Sequence, residues 1–350
     1  MNEPQRWKIV EYSIQNINKA GDIIRDPNAT PDERKNAFKI IDNWRAAHAY
    51  PMHVIYIHLR RISAAKYKNS LVVERLKRLD SIVSKLEREP HMLLSRMQDL
   101  GGCRVIVPTL AEVRKFAVNY QNSRIRHKLK KEYDYIACPK ASGYRSLHLV
   151  YKFHSDKKAT YNKSIFIEIQ IRTHLQHLWA TALETMGLFT RQALKAGEGD
   201  EYVKRFFALV SSLFALEENA PIVPNTFNTP EQLLEEVRTL NDKYHILQKL
   251  QAIRAASINM DKKADKKTEK KGYYVLRLSY TENIVKIFYF SPSKFQIANQ
   301  LYTTFEQNEV NNDTVLVQAS SFIELQKAYP NYFSDIGEFI SIIQKKLHKF

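Results

Sequence analysis

The chain has 350 residues, 44% of them hydrophobic and 26% charged, which is the composition of a globular protein with room for two domains. No apolar run reaches the roughly 18 residues of a membrane-spanning helix, and the N-terminal segment lacks the apolar core of a signal peptide. The net charge of +17 favours a polyanionic partner over a merely basic surface. The two cysteines, Cys103 and Cys138, have no metal-ligand spacing, so we expect a reducing cytoplasm and two buried thiols.

The first 90 residues are predicted to be helical. Thr30, Pro31 and Glu33 form a helix-start signal, with a capping hydroxyl, a proline in the first turn and a glutamate at the third position.

The segment NSLVVERLKRLDSIVSKLEREP has apolar residues spaced by four, three and four, which predicts a helix with one apolar stripe. The stripe consists of Val72, Leu76, Leu79 and Val83. The polar side carries Arg75, Lys77 or Arg78, Ser81, Lys85 and Arg88. Taken alone, that side is typical of a solvated basic helix face.

Residues 99–172 change to the pattern of strands. The segments CRVIVP, SLHLVYKF and SIFIEIQIR are rich in β-branched and aromatic residues, and LAEVRKFAVNYQ between the first two has a helical pattern. Strands mixed with helices predict an α/β or α+β fold with a mixed sheet. Residues 174–220 return to helix.

The remainder is predicted to form a connector and a second domain. Pro221 and Pro224 begin a linker, and a long amphipathic helix follows. Its apolar face carries Val237, Leu240, Tyr244 and Leu247. The tract DKKADKKTEKKG (261–272) is typical of a solvated loop or a fraying helix end. Two strands, a helix near 292–307, a third strand and a C-terminal helix then predict a small α+β domain. The predicted boundaries are 1–225 for the first domain, 226–272 for the connecting helix and charged linker, and 273–350 for the second domain.

Two acids stand next to predicted strands. Asp99 precedes LGGCRVIV, and Glu168 lies inside FIEIQIRT, where it alternates with isoleucines together with Gln170 and Arg172. A surface strand would alternate as well, but an acid, an amide and a guanidinium in a row favour a functional face. Two carboxylates from different strands suit a magnesium–nucleotide site, because one holds the ion while the other accepts a proton from an attacking hydroxyl.

Four segments together resemble the synthetase domain of the RelA/SpoT family over about residues 40–220. They are RLKRLDSIVSKL, DLGGCRVIV, DYIACPKASGYRSLHLVY and IEIQIRT, in the family's order. The resemblance implies a mixed-sheet, nucleotidyltransferase-like domain flanked by helices. It also implies an enzyme that transfers pyrophosphate from ATP to a ribose 3′-hydroxyl with Mg²⁺ as cofactor.

The resemblance further implies roles for single residues. By this resemblance, Arg75 and Arg104 enclose the adenine of ATP, and its phosphates are bound by Lys77, Ser81 and Lys85. Asp99 and Glu168 bind Mg²⁺, with Glu168 as general base. Tyr144 stacks on the acceptor base, and the acceptor pocket is lined by Lys140, His148, Gln170 and Arg172. The PKASG break (139–143) and the two residues after it, Tyr144 and Arg145, are therefore expected to hold the acceptor. They are called the acceptor loop below.

The family uses two classes of acceptor, GDP or GTP and the 3′-terminal adenosine of tRNA. RIRHKLKK (124–131) favours tRNA, because a phosphate backbone needs such a strip and a mononucleotide does not. This basic strip consists of Arg124, Arg126, Lys128, Lys130 and Lys131. THLQHLWATALETMGLFTRQALKAG resembles the CapRel-type branch of toxic small alarmone synthetases. No His-Asp hydrolase signature precedes the synthetase motifs, so we expect no removal of an alarmone by the same chain.

The C-terminal segment DTVLVQASSFIELQKAYPNYFSDIGEFI resembles the pseudo-zinc-finger antitoxin domain fused to CapRel toxins. No cysteine occurs after Cys138, so we expect no zinc. The resemblance implies that Tyr329 and Tyr332 form an inhibitory plug and that a phage protein, usually the capsid protein, releases it. From the residues alone, local packing of two aromatics in a turn is equally compatible.

Two other classes of function are open. A pure RNA-binding protein would explain the charge but not Asp99 with Glu168, and an inactive scaffold would tolerate losses in the ATP motif that this chain does not show. The sequence carries no signal for an oligomeric state.

Overall fold

The structure is a computed structural model that describes residues 7–190, 194, 199–258, 272–279, 284–308, 312–319 and 336–348. The helices are α1 (Ile14–Arg25), α2 (Pro31–Ala47), α3 (Ala49–Lys66), α4 (Leu79–Arg88), α5 (Leu110–Gln121), α6 (His174–Thr190), α7 (Glu201–Glu217), α8 (Pro230–Tyr244), α9 (Ile246–Ile258), α10 (Phe295–Asn308) and α11 (Gly337–His348). The strands are β1 (Leu71–Leu76), β2 (Gly101–Val107), β3 (Lys128–Asp134), β4 (Leu147–Lys152), β5 (Phe166–Thr173), β6 (Gly272–Ser279), β7 (Ile284–Phe290) and β8 (Asn312–Ala319).

The described strands form one mixed sheet in the order β3-β4-β5-β2-β1-β8-β6-β7. Strands β2 and β5 run parallel, and the other neighbouring pairs are antiparallel. The prediction of an α/β fold with a mixed sheet is confirmed.

One face of the sheet packs on α3 and α5, and the opposite face carries the polar residues. Ile167, Ile169 and Ile171 are fully buried in the core under these helices. Burial of each contributes roughly 2 kcal/mol of hydrophobic stabilisation. Side chains alternate along a strand, so Glu168 and Gln170 lie on the opposite face. The core therefore fixes which residues of β5 are available for chemistry.

A second apolar core lies between α6, α7, α8, α9 and α11. Trp179 of α6 donates its indole N–H to the carbonyl of Phe207 on α7 at 2.7 Å. Phe207 in turn stacks on Phe339 of α11, with ring centroids 5.8 Å apart. This core lies directly behind the acceptor loop, since a Cβ added to Gly143 would come within 2.8 Å of Trp179.

Several predicted elements are confirmed. Thr30 and Glu33 form a capping box at the start of α2. Helix α5 coincides with LAEVRKFAVNYQ, and β2, β4 and β5 overlap the three predicted strand segments. The helical segment 174–220 contains α6 and α7.

The helix predicted across residues 69–90 is wrong in its first part, because residues 71–76 form β1. Val72 and Leu76 are four residues apart, and an even spacing also puts two side chains on one face of a strand. Strand β1 is paired on both sides, by β2 and β8, which favours the extended form for the β-branched Val72 and Val73. The helical part is α4, which begins at Leu79.

The long helix predicted after the linker is two helices, α8 and α9. His245 adopts a left-handed conformation with φ of 54° and ends α8. Asn241 accepts a hydrogen bond from the Leu247 N–H at 2.9 Å, which caps α9 in place of a continuing helical bond. The apolar pattern is continuous through this turn because α8 and α9 contribute to the same core.

The C-terminal strands and helices lie where they were predicted, but they extend the same sheet. Glu74 and Arg75 of β1 pair with Gln318 and Val317 of β8. Tyr273 belongs to the core under α3 and α5. Helix α11 packs in the second core, with α6 and α9. The described part of the block at 273–350 thus shares its cores with the rest of the chain, and the domain boundaries stay predictions.

Two expectations concern residues outside the described part of the chain, namely the charged tract at 261–271 and the plug residues Tyr329 and Tyr332. The expectation of two buried thiols is wrong for Cys138, which is exposed, whereas Cys103 is buried. Among the described helices, none is both long and apolar enough to cross a bilayer.

Candidate active site

The register of the sheet gathers the predicted site residues of β2, β4 and β5 on its polar face. Gly102 of β2 lies beside Glu168, and Arg104 lies beside Gln170. His148 of β4 lies on the other side of Gln170. The predicted side chains of β2, β4 and β5 therefore form one polar surface, because directly opposite residues share a face of a sheet.

Asp99 lies just before β2 and is held by two lysines. Its two carboxylate oxygens accept from Lys77 Nζ at 3.0 Å and from Lys85 Nζ at 3.1 Å. Burial alone would raise the pKa of Asp99, but the two ammonium groups outweigh it and lower the pKa to about 2. Asp99 is therefore ionised, and Lys77 and Lys85 meet at it although they belong to different elements.

Glu168 is held by His148 and Gln170. His148 Nδ1 lies 2.9 Å from Glu168 Oε1, and Gln170 Nε2 donates to Glu168 Oε2 at 2.7 Å. Burial opposes ionisation of Glu168, but His148 outweighs it and the pKa of Glu168 is lowered. An ionised carboxylate only accepts, so His148 Nδ1 carries the proton. In the neutral imidazole, Nε2 then accepts from the Tyr144 hydroxyl at 2.8 Å.

Asp99 and Glu168 suit an Mg²⁺ ion that is also bound by substrate. Their charges interact, since Asp99 acts to raise the pKa of Glu168. No group of three or more possible metal ligands occurs among the described residues. Magnesium in nucleotide sites uses one or two carboxylates together with waters and substrate phosphates, so two ionised carboxylates fit it.

The acceptor loop is fixed from behind by α7. Gly143 has a φ of 90°, which favours glycine, and its carbonyl accepts from Ser211 Oγ at 2.6 Å. Arg145 donates to Glu218 at 2.7 Å and to Ser211 at 3.2 Å. Glu218 also accepts from Thr173 and Gln176, at the end of β5 and the start of α6. Sequence reasoning missed Glu218 and Ser211, because no local pattern links them to a loop about 70 residues away.

Tyr144 is less accessible than a base-stacking platform needs. Its side chain is only 6% exposed, with an edge contact to Trp179 and its hydroxyl on His148. A more accessible aromatic of this region is the half-buried Tyr135, with the Lys140 ammonium 4.3 Å from its ring centroid. In this conformation Tyr144 needs to move before a base can stack on it.

The residues assigned to ATP lie around β1, β2 and the start of α4. Arg75 lies beside Gly102, so it shares the polar face with Arg104. Ser81 lies in the first turn of α4 and is half-buried, whereas Arg88 is exposed at its end. The structure therefore distributes this set over a strand, a turn and a helix, rather than along one helix face.

The start of α4 is covered by α10. Arg78 provides no side-chain cap for α4. The Leu79 N–H instead donates to Glu306 at 2.9 Å and to the Tyr302 hydroxyl at 3.2 Å. The Arg45 guanidinium lies 4.0 Å from the Tyr302 ring centroid, which adds a cation–π contact. An acid from α10 thus takes the position where a helix N-terminus favours an anion.

The basic strip lies on and before β3, at one edge of the sheet. All five of its side chains are exposed. Arg126 forms an ion pair with Asp156 at 2.9 Å, while Lys128, Lys130 and Lys131 follow one another along β3. The strip is therefore available to a phosphate backbone, and it also has the lysines that protect an edge strand from pairing with another chain.

Comparisons with known proteins give matches to the central part of the chain. Residues 74–188 match the family described as "Region found in RelA / SpoT proteins". GTP pyrophosphokinase YwaC of Bacillus subtilis is 32% identical over 114 residues, which are 31% of this chain and 52% of that protein. GTP pyrophosphokinase YjbM of the same organism is 33% identical over 112 residues, 31% of this chain and 52% of that protein.

The crystal structure of small alarmone synthetase 1 from Bacillus subtilis has 25% sequence identity and a TM-score of 0.43, over 51% of this chain and 93% of that one. The chain spans about half the length of the curated relatives named above, 52% in each case. The family match covers the part of the chain that contains β2, β3, β4 and β5, residues 74–188.

Proposed function

We propose that this chain is an ATP-dependent pyrophosphokinase that transfers pyrophosphate to a ribose 3′-hydroxyl. The observation that carries the proposal is the pair of ionised carboxylates, Asp99 and Glu168, beside Lys77 and Lys85. The relatives YwaC and YjbM are named GTP pyrophosphokinases, which supports the same reaction class.

In the proposed reaction, the 3′-oxygen bonds to the β-phosphorus of ATP, the bond to the α-phosphate oxygen breaks, and AMP leaves. Glu168 is ionised, so it can accept the 3′-hydroxyl proton, and His148 and Gln170 keep its two oxygens in place. Lys77 and Lys85 supply positive charge for the phosphates. Mg²⁺ held by Asp99 and Glu168 would neutralise the charge that develops on the transferred group.

Glu168→Gln tests the reaction. It keeps the shape of the side chain but removes the charge and the proton acceptor, so we expect transfer to fall by a factor of about 10² or more. Glu231→Gln, at an exposed acid of α8, is the matched control and should transfer normally. The measurement is transfer of label from γ-labelled ATP in the presence of tRNA, GDP or GTP. Wild-type rates for Glu168→Gln would contradict the proposed role of this carboxylate.

For the acceptor, we favour the 3′ end of tRNA, whose modification would block translation in the cytoplasm. The exposed basic strip supports this choice, because a row of cations can bind an extended phosphate backbone. The alternative acceptor is GDP or GTP, which the names of the relatives favour. Labelled ATP with equal concentrations of tRNA and GDP distinguishes them, because the label follows the better acceptor.

The proposed function includes inhibition by the C-terminal block and release by a phage protein. The contact of α10 with α4 supports it, because Glu306 covers the start of the helix that carries Ser81 and Lys85. Burial, followed by the nearby Asp80, raises the pKa of Glu306. A phosphate at this helix N-terminus would compete with the Glu306 carboxylate, so displacement of α10 should raise the affinity for ATP.

A further inference from the structure

Arg172 is a buried cation that forms no ion pair with a carboxylate within the described ranges. It lies near the end of β5, and its side chain is 1% exposed. Its Nε and Nη1 atoms are shielded from solvent and donate to no acceptor in the described part of the chain. A buried charge of this kind is costly unless an anionic group lies against it.

A second guanidinium lies on the same face. Arg104 pairs with Gln170 and Ile106 pairs with Arg172, so Arg104 and Arg172 are diagonal neighbours across β2 and β5. Burial, followed by the charge of Arg104, lowers the pKa of Arg172 to about 9, against the opposing effects of Tyr144 and Glu184. Arg172 therefore remains charged at neutral pH, although it lies beside another cation.

Arg145 is a buried arginine with a structural role, and it provides a comparison for Arg172 within the same protein. Its side chain is 2% exposed, about as buried as that of Arg172. It forms an ion pair with Glu218 at 2.7 Å and a hydrogen bond to Ser211 at 3.2 Å. The two arginines thus differ in their partners and not in their burial.

We propose that Arg172 binds the 5′-phosphate of the acceptor nucleotide, after the same movement of Tyr144 that base stacking requires. This inference rests on the proposed function, since it concerns the same site. Arg172 is four residues beyond Glu168 on the same face of β5, about 13 Å along the strand. The phosphates that undergo transfer must lie beside Glu168 and Asp99, so Arg172 serves another phosphate. GDP and the 3′-terminal adenosine of an RNA both have one, and the planar guanidinium matches its geometry.

The first test is thermal unfolding of the full chain without nucleotide. Arg172→Met removes an uncompensated buried charge at similar volume, so its Tm should rise by about 2–4 °C. Arg145→Met is the matched control and should lower the Tm, because it leaves Glu218 buried without its cation. A fall in Tm for Arg172→Met as large as that for Arg145→Met would make Arg172 a structural residue and overturn the proposal.

The second test is binding of GDP, guanosine, a CCA trinucleotide and ATP to wild type and Arg172→Met. We expect Arg172→Met to bind GDP or the trinucleotide about 10-fold more weakly, with guanosine and ATP unchanged. Which of the two acceptor probes loses affinity identifies the source of the phosphate. Equal affinity of both proteins for all four probes, or no binding of either acceptor probe by wild type, would overturn the inference. The proposed function would be contradicted by a different result, namely that the wild-type protein transfers no label from ATP. The binding comparison does not depend on that assay.

Discussion

At the scale of single residues, the pair Arg145 and Glu218 joins the acceptor loop to the end of α7. Both side chains are nearly buried, at 2% and 8% exposed. Thr173 and Gln176 complete the hydrogen bonds of Glu218. A buried pair with all its partners satisfied fixes geometry, and the loss of one member leaves the other without compensation.

Glu218→Gln should therefore lower the free energy of unfolding by about 3 kcal/mol, because it leaves Arg145 buried and charged. It should also raise KM for the acceptor more than KM for ATP, since the acceptor loop loses its support. Urea unfolding and steady-state kinetics measure the two effects. The double variant Arg145→Met with Glu218→Leu should recover much of the stability but not the acceptor KM. A double variant no more stable than Glu218→Gln would show that the pair is not the cause.

His48 predicts a dependence of stability on pH. It is fully buried, and its Nδ1 lies 2.7 Å from the Trp44 carbonyl. Burial lowers the pKa of His48 to about 4, whereas the unfolded chain has the ordinary value near 6.5. Below pH 6.5 the unfolded state takes up a proton that the folded state does not, so stability falls as the pH is lowered towards 4.

The expected slope is up to about 1.4 kcal/mol per pH unit from this residue. His48→Asn keeps a donor near the Trp44 carbonyl and cannot titrate, so it should flatten the slope between pH 6 and 4. Urea unfolding across this range measures it. An unchanged slope in the variant would assign the pH dependence to other groups.

At the scale of elements, β3 is both an edge strand and the main part of the basic strip. Edge lysines discourage pairing with other chains, and a row of cations also binds a phosphate backbone. The two roles predict different results when Lys128, Lys130 and Lys131 are removed, so the element can be tested without assuming either.

Alanine at Arg124, Lys128, Lys130 and Lys131 should weaken tRNA binding and reduce its log–log salt slope by about 0.7–0.9 for each phosphate that is no longer neutralised. Arg126→Ala is the comparison, because Arg126 is already paired with Asp156, and its effect should be smaller. Binding titrations at several salt concentrations measure the slope. Self-association of the alanine variant with an unchanged tRNA slope would assign the strip to edge protection.

At the scale of the whole molecule, the C-terminal block is part of the fold as well as a cover for α4. Its strands extend the sheet through β8, and α11 fills the second core with Phe339. Removal of the block would expose both surfaces, so truncation near residue 260 tests folding and inhibition together. Point variants on α10 separate the two effects.

On the proposed inhibition, Glu306→Gln should raise toxicity on induction in growing cells, because it removes the acidic group that covers the start of α4 but keeps its shape. Thr304→Ala, at an exposed position of α10, is the control and should be tolerated like wild type. A partner that shifts the chain from 1% to 99% active needs a preference for the open state of roughly 5.5 kcal/mol. Equal growth of the Glu306→Gln and wild-type strains, with equal ATP affinity of the two proteins, would exclude this contact as an inhibitor.

The sequence by itself determined the features that depend on local periodicity and local chemistry. The capping box at Thr30, the alternation around Glu168, the positions of the C-terminal strands and the order of the motifs are all encoded within short segments. Short-range patterns suffice there, because a helix cap or a strand face involves residues only a few positions apart.

The tertiary structure alone decided what depends on distant contacts. Residues 71–76 form a strand because β2 and β8 lie on both sides, and β8 comes more than 200 residues later. The contacts of Arg145 with Glu218 and of Leu79 with Glu306 span 73 and 227 residues, so no local signal predicts them. The burial of Tyr144, and the charge of Arg172 that no described carboxylate pairs with, likewise follow from what the chain packs against them. The physical reason is that desolvation and pairing energies belong to the assembled neighbourhood and not to the residue.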